Sequence, residues 1–214
     1  MREVWFTADL HLGHANILRH CLRPFLSADE QELALEDPHG RWSVSAESLR
    51  RHDDGLLDAI DRLVQVQDTL WILGDFCWGG PEVAREYRKR IRCRSVNLVL
   101  GNHDKRSIEN CFASTLEQGM IGVGGESLWL NHYPMRSWNK SFHGSWQLYG
   151  HVHGRLTAED ESKPWCLTRD VGVDACGYQP ISFEMLQAYM APRVEAFQQR
   201  RQRLLAGEQE EEME

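Results

Sequence analysis

The sequence predicts an α/β protein built as a layered, mixed β-sheet sandwich flanked by helices. Three observations lead there. Through the first half of the chain, apolar runs of strand length alternate with stretches whose apolar residues recur at helical spacing. In the second half strand-like runs follow one another more closely, as hairpins and mixed sheets require. And 214 residues with 42% hydrophobic and 26% charged content can bury one core without disulfide or metal staples.

Residues 3–8 are β-rich and apolar, and residues 9–14 are too polar to continue a buried strand, so a strand ends in a loop. Residues 23–45 carry Pro24, Pro38, Gly40 and many acids without a steady period. They read as an irregular connection with at most one short helix. Leu49, Leu56, Leu57, Ile60, Leu63 and Val64 form one helical face, and residues 69–73 follow as a buried strand. Pro81 suits a helix start, with Val83, Ala84, Tyr87 and Ile91 on one face and an end near Arg94. Residues 96–100, 127–130, 147–149 and 171–173 are the further strands. A last amphipathic helix starts at the cap Ser182 and runs past Leu186 and Tyr189. Beyond Pro192 the chain is charged and ends in the acidic residues 208–214, expected to be disordered. One domain, residues 1–192, with a charged extension over 193–214, is the expected organisation.

The longest apolar runs are strand-sized, far below the roughly 20 residues of a membrane span. A formal charge of -8 argues against bulk coating of nucleic acid. The six cysteines contain no C-x-x-C pair and read as reduced thiols. No secretory leader pattern opens the chain, so a cytoplasmic location is expected.

Chemistry collects where strands end. His11, His103, His132, His151 and His153 all lie just past a predicted strand, in Asp9-x-His11, Gly101-Asn102-His103-Asp104, Asn131-His132 and Gly150-His151-x-His153, while Gly74-Asp75 follows the strand at 69–73. In layered α/β folds such loops converge on one crevice. Each residue alone would be an ordinary turn or loop residue, but five loops carrying ligand-type side chains to one sheet edge are hard to assign to accident. A mixed nitrogen and oxygen set without thiolate suits Mn, Fe or Zn. Seven candidate ligands exceed one ion's needs, and a carboxylate can bridge two ions about 3.5–4 Å apart, a pair that clamps a phosphoryl centre.

These motifs, in this order, resemble the calcineurin-like metallophosphoesterases. The opening residues 6–17, the Val171-Gly172-Val173-Asp174 run and Pro180-Ile181-Ser182 are similar to a compact bacterial and phage subgroup. The resemblance implies a metallophosphoesterase-like fold in which Asp9, His11 and His153 hold one ion, Asn102, His132 and His151 the other, and Asp75 bridges them. It also implies hydrolysis of a phosphoester by a metal-bridging hydroxide. Mn²⁺ is the first choice for both ions, with Fe, Zn or Ni as alternatives. Family members that became binding scaffolds have lost ligands, and here the set is intact. His103 is implied to face the substrate with Asn102, stabilising phosphoryl charge or protonating the leaving oxygen, with Asp104 orienting it or serving as a helix N-cap. His14 either reaches the rim of the site or starts a helix.

The run Arg85, Arg88, Lys89, Arg90, Arg92 and Arg94 reads first as a solvated helix face, and as a polynucleotide track only if it faces the site. Trp78 and Trp138 flank motif loops and could stack on a base or sugar, although rim packing is the commoner role; Trp5, Trp71, Trp129 and Trp146 are expected in the core. The expected activity is that of a phosphodiesterase. A phosphomonoesterase, a nuclease on DNA or RNA, and a non-catalytic interaction module are the alternatives. A small molecule or nucleotide is favoured over a polynucleotide as substrate.

Overall fold

The structure is a computed structural model that describes residues 2–37 and 40–207. The acidic tail expected to be disordered lies outside these residues. In chain order the elements are β1 (Val4–Thr7), α1 (Ala15–His20), α2 (Ala28–Glu36), α3 (Ala46–Leu63), β2 (Thr69–Leu73), α4 (Pro81–Arg90) and β3 (Ser95–Val99). They continue with β4 (Ser114–Leu116), β5 (Gln118–Val123), β6 (Glu126–Asn131), β7 (Trp146–Tyr149), α5 (Thr157–Ser162), β8 (Thr168–Asp170), β9 (Ile181–Ser182) and α6 (Phe183–Leu205).

Two sheets form the sandwich. The first has the order β4-β3-β2-β1-β9, parallel except for β9, and the second the order β5-β6-β7-β8, in which only β5 and β6 pair antiparallel. Both faces of the first sheet are buried, and side chains alternate between them. Leu70, Ile72, Val96 and Leu98 pack with Leu56, Leu57 and Ile60 of α3 and Ala84 of α4. Phe6, Leu73 and Val99 face Leu128, Leu130 and Leu148 of the second sheet, and Leu186 and Met190 of α6 close that layer.

Three expected boundaries shift. The strand expected at 171–173 is β8, three residues earlier. Val171 and Val173 are just as buried, but Val171 N–H makes the last bond to β7, on the Tyr149 carbonyl at 2.8 Å, and the chain then crosses to the other sheet, Val173 N–H donating to the Ala8 carbonyl at 3.1 Å. Apolar periodicity cannot say which sheet a run joins. The basic helix ends at Arg90 because Ile91 turns into the core and the Arg88 guanidinium caps the carbonyls of Ile91, Cys93 and Arg94. The last helix continues through Pro192, at a cost of about 3 kcal/mol. Past the proline, Arg193 is buried and donates to the carbonyls of Asp160 and Cys166, while Val194 and Phe197 pack on the core.

Candidate metal centre

The loops after β1, β2, β3, β6 and β7 meet at one edge of the sandwich and bring all seven expected ligands together. Asp9, His11, Asp75 and His132 are buried, the other three partly or more exposed. Ligand atoms of Asp9, His11 and His153 lie within 4.8 Å of one another, as do those of Asp9, Asp75 and His132. Asp75 stands in the middle: its Oδ2 is 3.4 Å from His11 Nε2 and 3.4 Å from His132 Nε2, and its Oδ1 accepts the His103 N–H at 2.9 Å. Both Asp9 oxygens accept the His151 N–H, at 3.0 and 2.9 Å.

The backbone here is bent to serve side chains. Asp9, His11, Asp75, His151 and His153 all have φ between 50° and 72°, in the left-handed region that costs non-glycine residues about 1 kcal/mol or more each. The motif glycines answer a different need, close approach. A Cβ on Gly74, itself at φ 93°, would lie 2.2 Å from His132 Nδ1, and one on Gly150 2.5 Å from Asp9 Oδ2.

The donor set fits cations. His11 Nε2 is buried without a hydrogen-bond partner. His132 Nδ1 lies 2.8 Å from the Leu73 carbonyl and donates to it, while Nε2 faces the carbonyl oxygen of the Asn102 side chain at 3.0 Å and Asp75 Oδ2 at 3.4 Å. One nitrogen and two oxygens thus converge on a space that a proton on Nε2 or a cation can fill. Burial lifts the Asp9 carboxyl to about 7 and depresses the His11 imidazole to about 2. Burial would also raise Asp75, but hydrogen bonding and charge from His132 outweigh it and hold the carboxyl at about 2.

A second layer of residues, to which the sequence reading gave no role at the site, stands behind this cluster. Asp174 Oδ2 is 2.7 Å from His153 Nδ1, which fixes the tautomer and turns the other ring nitrogen toward Asp9 and His11. Burial lowers His153, but the Asp174 bond outweighs it and brings the imidazole to about 10. Arg23, fully buried, forks onto both Asp174 oxygens at 3.0 and 2.7 Å and donates to the carbonyls of Asp9 at 2.7 Å and Leu10 at 3.2 Å. Its remaining contact is His52 Nε2 at 2.7 Å. Because arginine only donates, His52 carries its proton on Nδ1 and passes it to Asp53 Oδ1 at 2.8 Å; Asp53 also accepts from Tyr87 and Gly13. Cys21 adjoins His153 and Asp174 as well, and Arg23 already occupies that carboxylate.

His103 is exposed at the mouth, its ring 5.3 Å from His11. Asp104 does not orient it and does not cap a helix. Its two oxygens accept backbone N–H groups of Asp75 (2.8 Å), Phe76 (3.0 Å) and Gly101 (2.9 Å), tying the β2 and β3 loops together. His14 stands at the start of α1 without a side-chain cap, and its ring stacks on Trp78 at 4.3 Å. Trp138 packs inward with its N–H on Ser145, while of the four strand tryptophans only Trp146 is fully in the core. Four of the six residues of the basic run have acidic partners: Arg85 pairs with Glu82, Lys89 with Glu86, Arg90 with Asp54 and Arg92 with Asp61.

The chain is thus a two-sheet α/β sandwich with an Asp, Asn and His cluster on its strand-end loops. The family model described as the calcineurin-like phosphoesterase superfamily domain matches residues 37–168, more than half of the chain, and the chain belongs to that family. It is 25% identical over 189 residues to an uncharacterized protein of Methanocaldococcus jannaschii, covering 87% of this chain and 90% of that one. It is 28% identical over 204 residues to the Gene 66 protein of Mycobacterium phage D29, covering 82% and 89%. The crystal structure of a protein of unknown function from Aquifex aeolicus shares the fold, with a TM-score of 0.61 at 21% identity over 88% of this chain and 99% of that one. Asp9, His11, Arg23 and Asp174 lie outside the span matched by the family model. Among the described residues no helix is long and apolar enough to cross a membrane.

Proposed function

We propose that this protein is a two-metal phosphoester hydrolase acting on phosphodiesters, with Asp9, His11 and His153 holding one ion, Asn102, His132 and His151 the other, and Asp75 shared. The observation that carries the reading is the buried His11 Nε2 without a partner, set 3.4 Å from a carboxylate equally close to His132. Held by these residues, two divalent ions, Mn²⁺ first, would supply Lewis-acid charge and lower the pKa of bound water.

The chain's own residues do the rest. Asp174 and Arg23 hold His153 and the Asp9 loop in one orientation, so ligand geometry does not have to be assembled at each binding event. His103 sits outside the ligand cluster and gives its proton to the departing oxygen. As the bond from phosphorus to that oxygen breaks, water's oxygen joins phosphorus and water's proton passes to solvent. A diester suits such an acid because an alkoxide is a poor leaving group; a monoester uses the same groups and is the second reading. The paired charges on α4 support a small substrate over a polynucleotide.

The test is a panel of mono- and diesters assayed with chelator-stripped protein given Mn²⁺, Zn²⁺, Ni²⁺ or Mg²⁺. Metal-dependent turnover, greater on diesters, is expected. An intact protein that takes up metal and turns over nothing would make it an interaction module instead.

A further inference from the structure

Of the eight tryptophans, Trp78 alone stands largely in water, 52% exposed, and it stands beside His103 at a ring separation of 5.4 Å. The indole is not loose. One face lies against the His14 ring, 13° from parallel, and the Trp78 backbone N–H is bonded to the Leu12 carbonyl at 2.8 Å. Between this indole and the β3 loop is a cavity of about 340 Å³ lined by Trp78, Gly79, Asn102, His103, Asp104 and Lys105. Lys105 is exposed and, among the described residues, has no ion-pair partner. A rigid aromatic face, a free cation and the proton donor therefore line one space of a size suited to a small organic group.

We propose that this cavity is the subsite for the departing half of the substrate and that it takes a planar heteroaromatic ring, so that the substrate is a small nucleotide-type phosphoester whose base stacks on Trp78. The inference rests on the two-metal reading for the position of the phosphorus. His103 decides which half enters: the group that receives its proton must lie on its side, and the cavity is on that side. An alkyl substituent would leave the indole wetted, whereas a base covers it and gains from stacking. Arg85, Lys89 and Arg90 of α4 are paired with acidic side chains and offer no open basic track beside the cavity.

The experiment compares ligands that differ only in the ring. Hydrolysis-resistant phosphonate analogues of adenosine 5′-phosphate and ribose 5-phosphate are titrated into metal-replete protein by calorimetry, with Trp78→Ala and Trp78→Phe alongside and circular dichroism as the fold check. The adenosine analogue is expected to bind about 5- to 100-fold more tightly, the range that stacking on one aromatic ring gives. Trp78→Ala should bring that ratio close to one and Trp78→Phe should keep most of it. A wild-type ratio near one, or a ratio unchanged in folded Trp78→Ala, overturns the subsite. Because the readout is a binding ratio, it stands apart from turnover: inactive protein that still discriminates the ring through Trp78 would sink the hydrolase reading and the leaving-group role with it, and would leave a ring-binding site.

Discussion

Asp75 is the residue on which the two halves of the site turn, since its Oδ2 is equidistant from His11 and His132. Asp75→Asn should lower occupancy of both ions, while Asn102→Ala should loosen mainly one; metal analysis of folded variants checks this, and two tightly held ions in Asp75→Asn would remove the shared role. Asp174→Asn keeps an oxygen near His153 but loses the charge that fixes its tautomer. It should weaken one ion by about 10- to 100-fold and spare the other, as competition against a metallochromic chelator would show. His103→Ala should keep both ions and lose about 10² to 10⁴ in turnover. The loss should be much smaller on a nitrophenyl ester, whose leaving group needs no proton, than on an alkyl ester; equal losses would point to charge stabilisation instead. The ligands were legible because each sits in a short motif at a strand end. Arg23 and Asp174 were not, because the partners are 151 residues apart and Arg23 lies in a stretch without a period. Yet Asp174 follows an apolar run as Asp9 and Asp75 do, and that recurrence was the available signal.

At the scale of elements, the region the sequence left irregular has its own logic. Ser27 and Glu30 close a capping box at the start of α2, Ser27 Oγ accepting from Glu30 N–H at 3.2 Å and Glu30 Oε2 from Ser27 N–H at 2.9 Å. Glu30 also accepts from Ser45 N–H at 2.6 Å and from the Ser48 hydroxyl, which fastens α2 to the start of α3. Burial alone would raise this carboxyl, but these bonds, Ser48 first, outweigh it and hold it at about 2. Its folded value is thus below the unfolded one, so the stabilisation is fully present above pH 4.5 and is lost as pH falls toward 2. Glu30→Gln should destabilise the protein by about 2 kcal/mol at pH 7, with the gap to wild type closing through that window in urea melts. A gap that stayed constant with pH would contradict the assignment. Strands β2, β3, β6 and β7 and helix α3 were legible because each has one strong period. The β5 strand, with Gly119 and Gly122, and the two-residue β9 carry too little pattern to read, and α6 outlasted its proline only because contacts across the molecule hold it.

At the scale of the whole molecule, the sandwich brings seven strand-end residues, drawn from between positions 9 and 153, to one edge, and the family resemblance foretold that convergence better than any single element did. What the resemblance did not foretell is the layer behind it, built by the loop after α1, by α3 and by the segment after β8. The central claim is that this edge holds two ions that together cleave a phosphoester. Titrating Mn²⁺ into chelator-stripped protein while following hydrolysis of a phosphodiester tests it most directly. Activity should be absent at the start and should rise to a plateau at two equivalents per chain. A plateau at one equivalent, or full activity in the stripped protein, would contradict it.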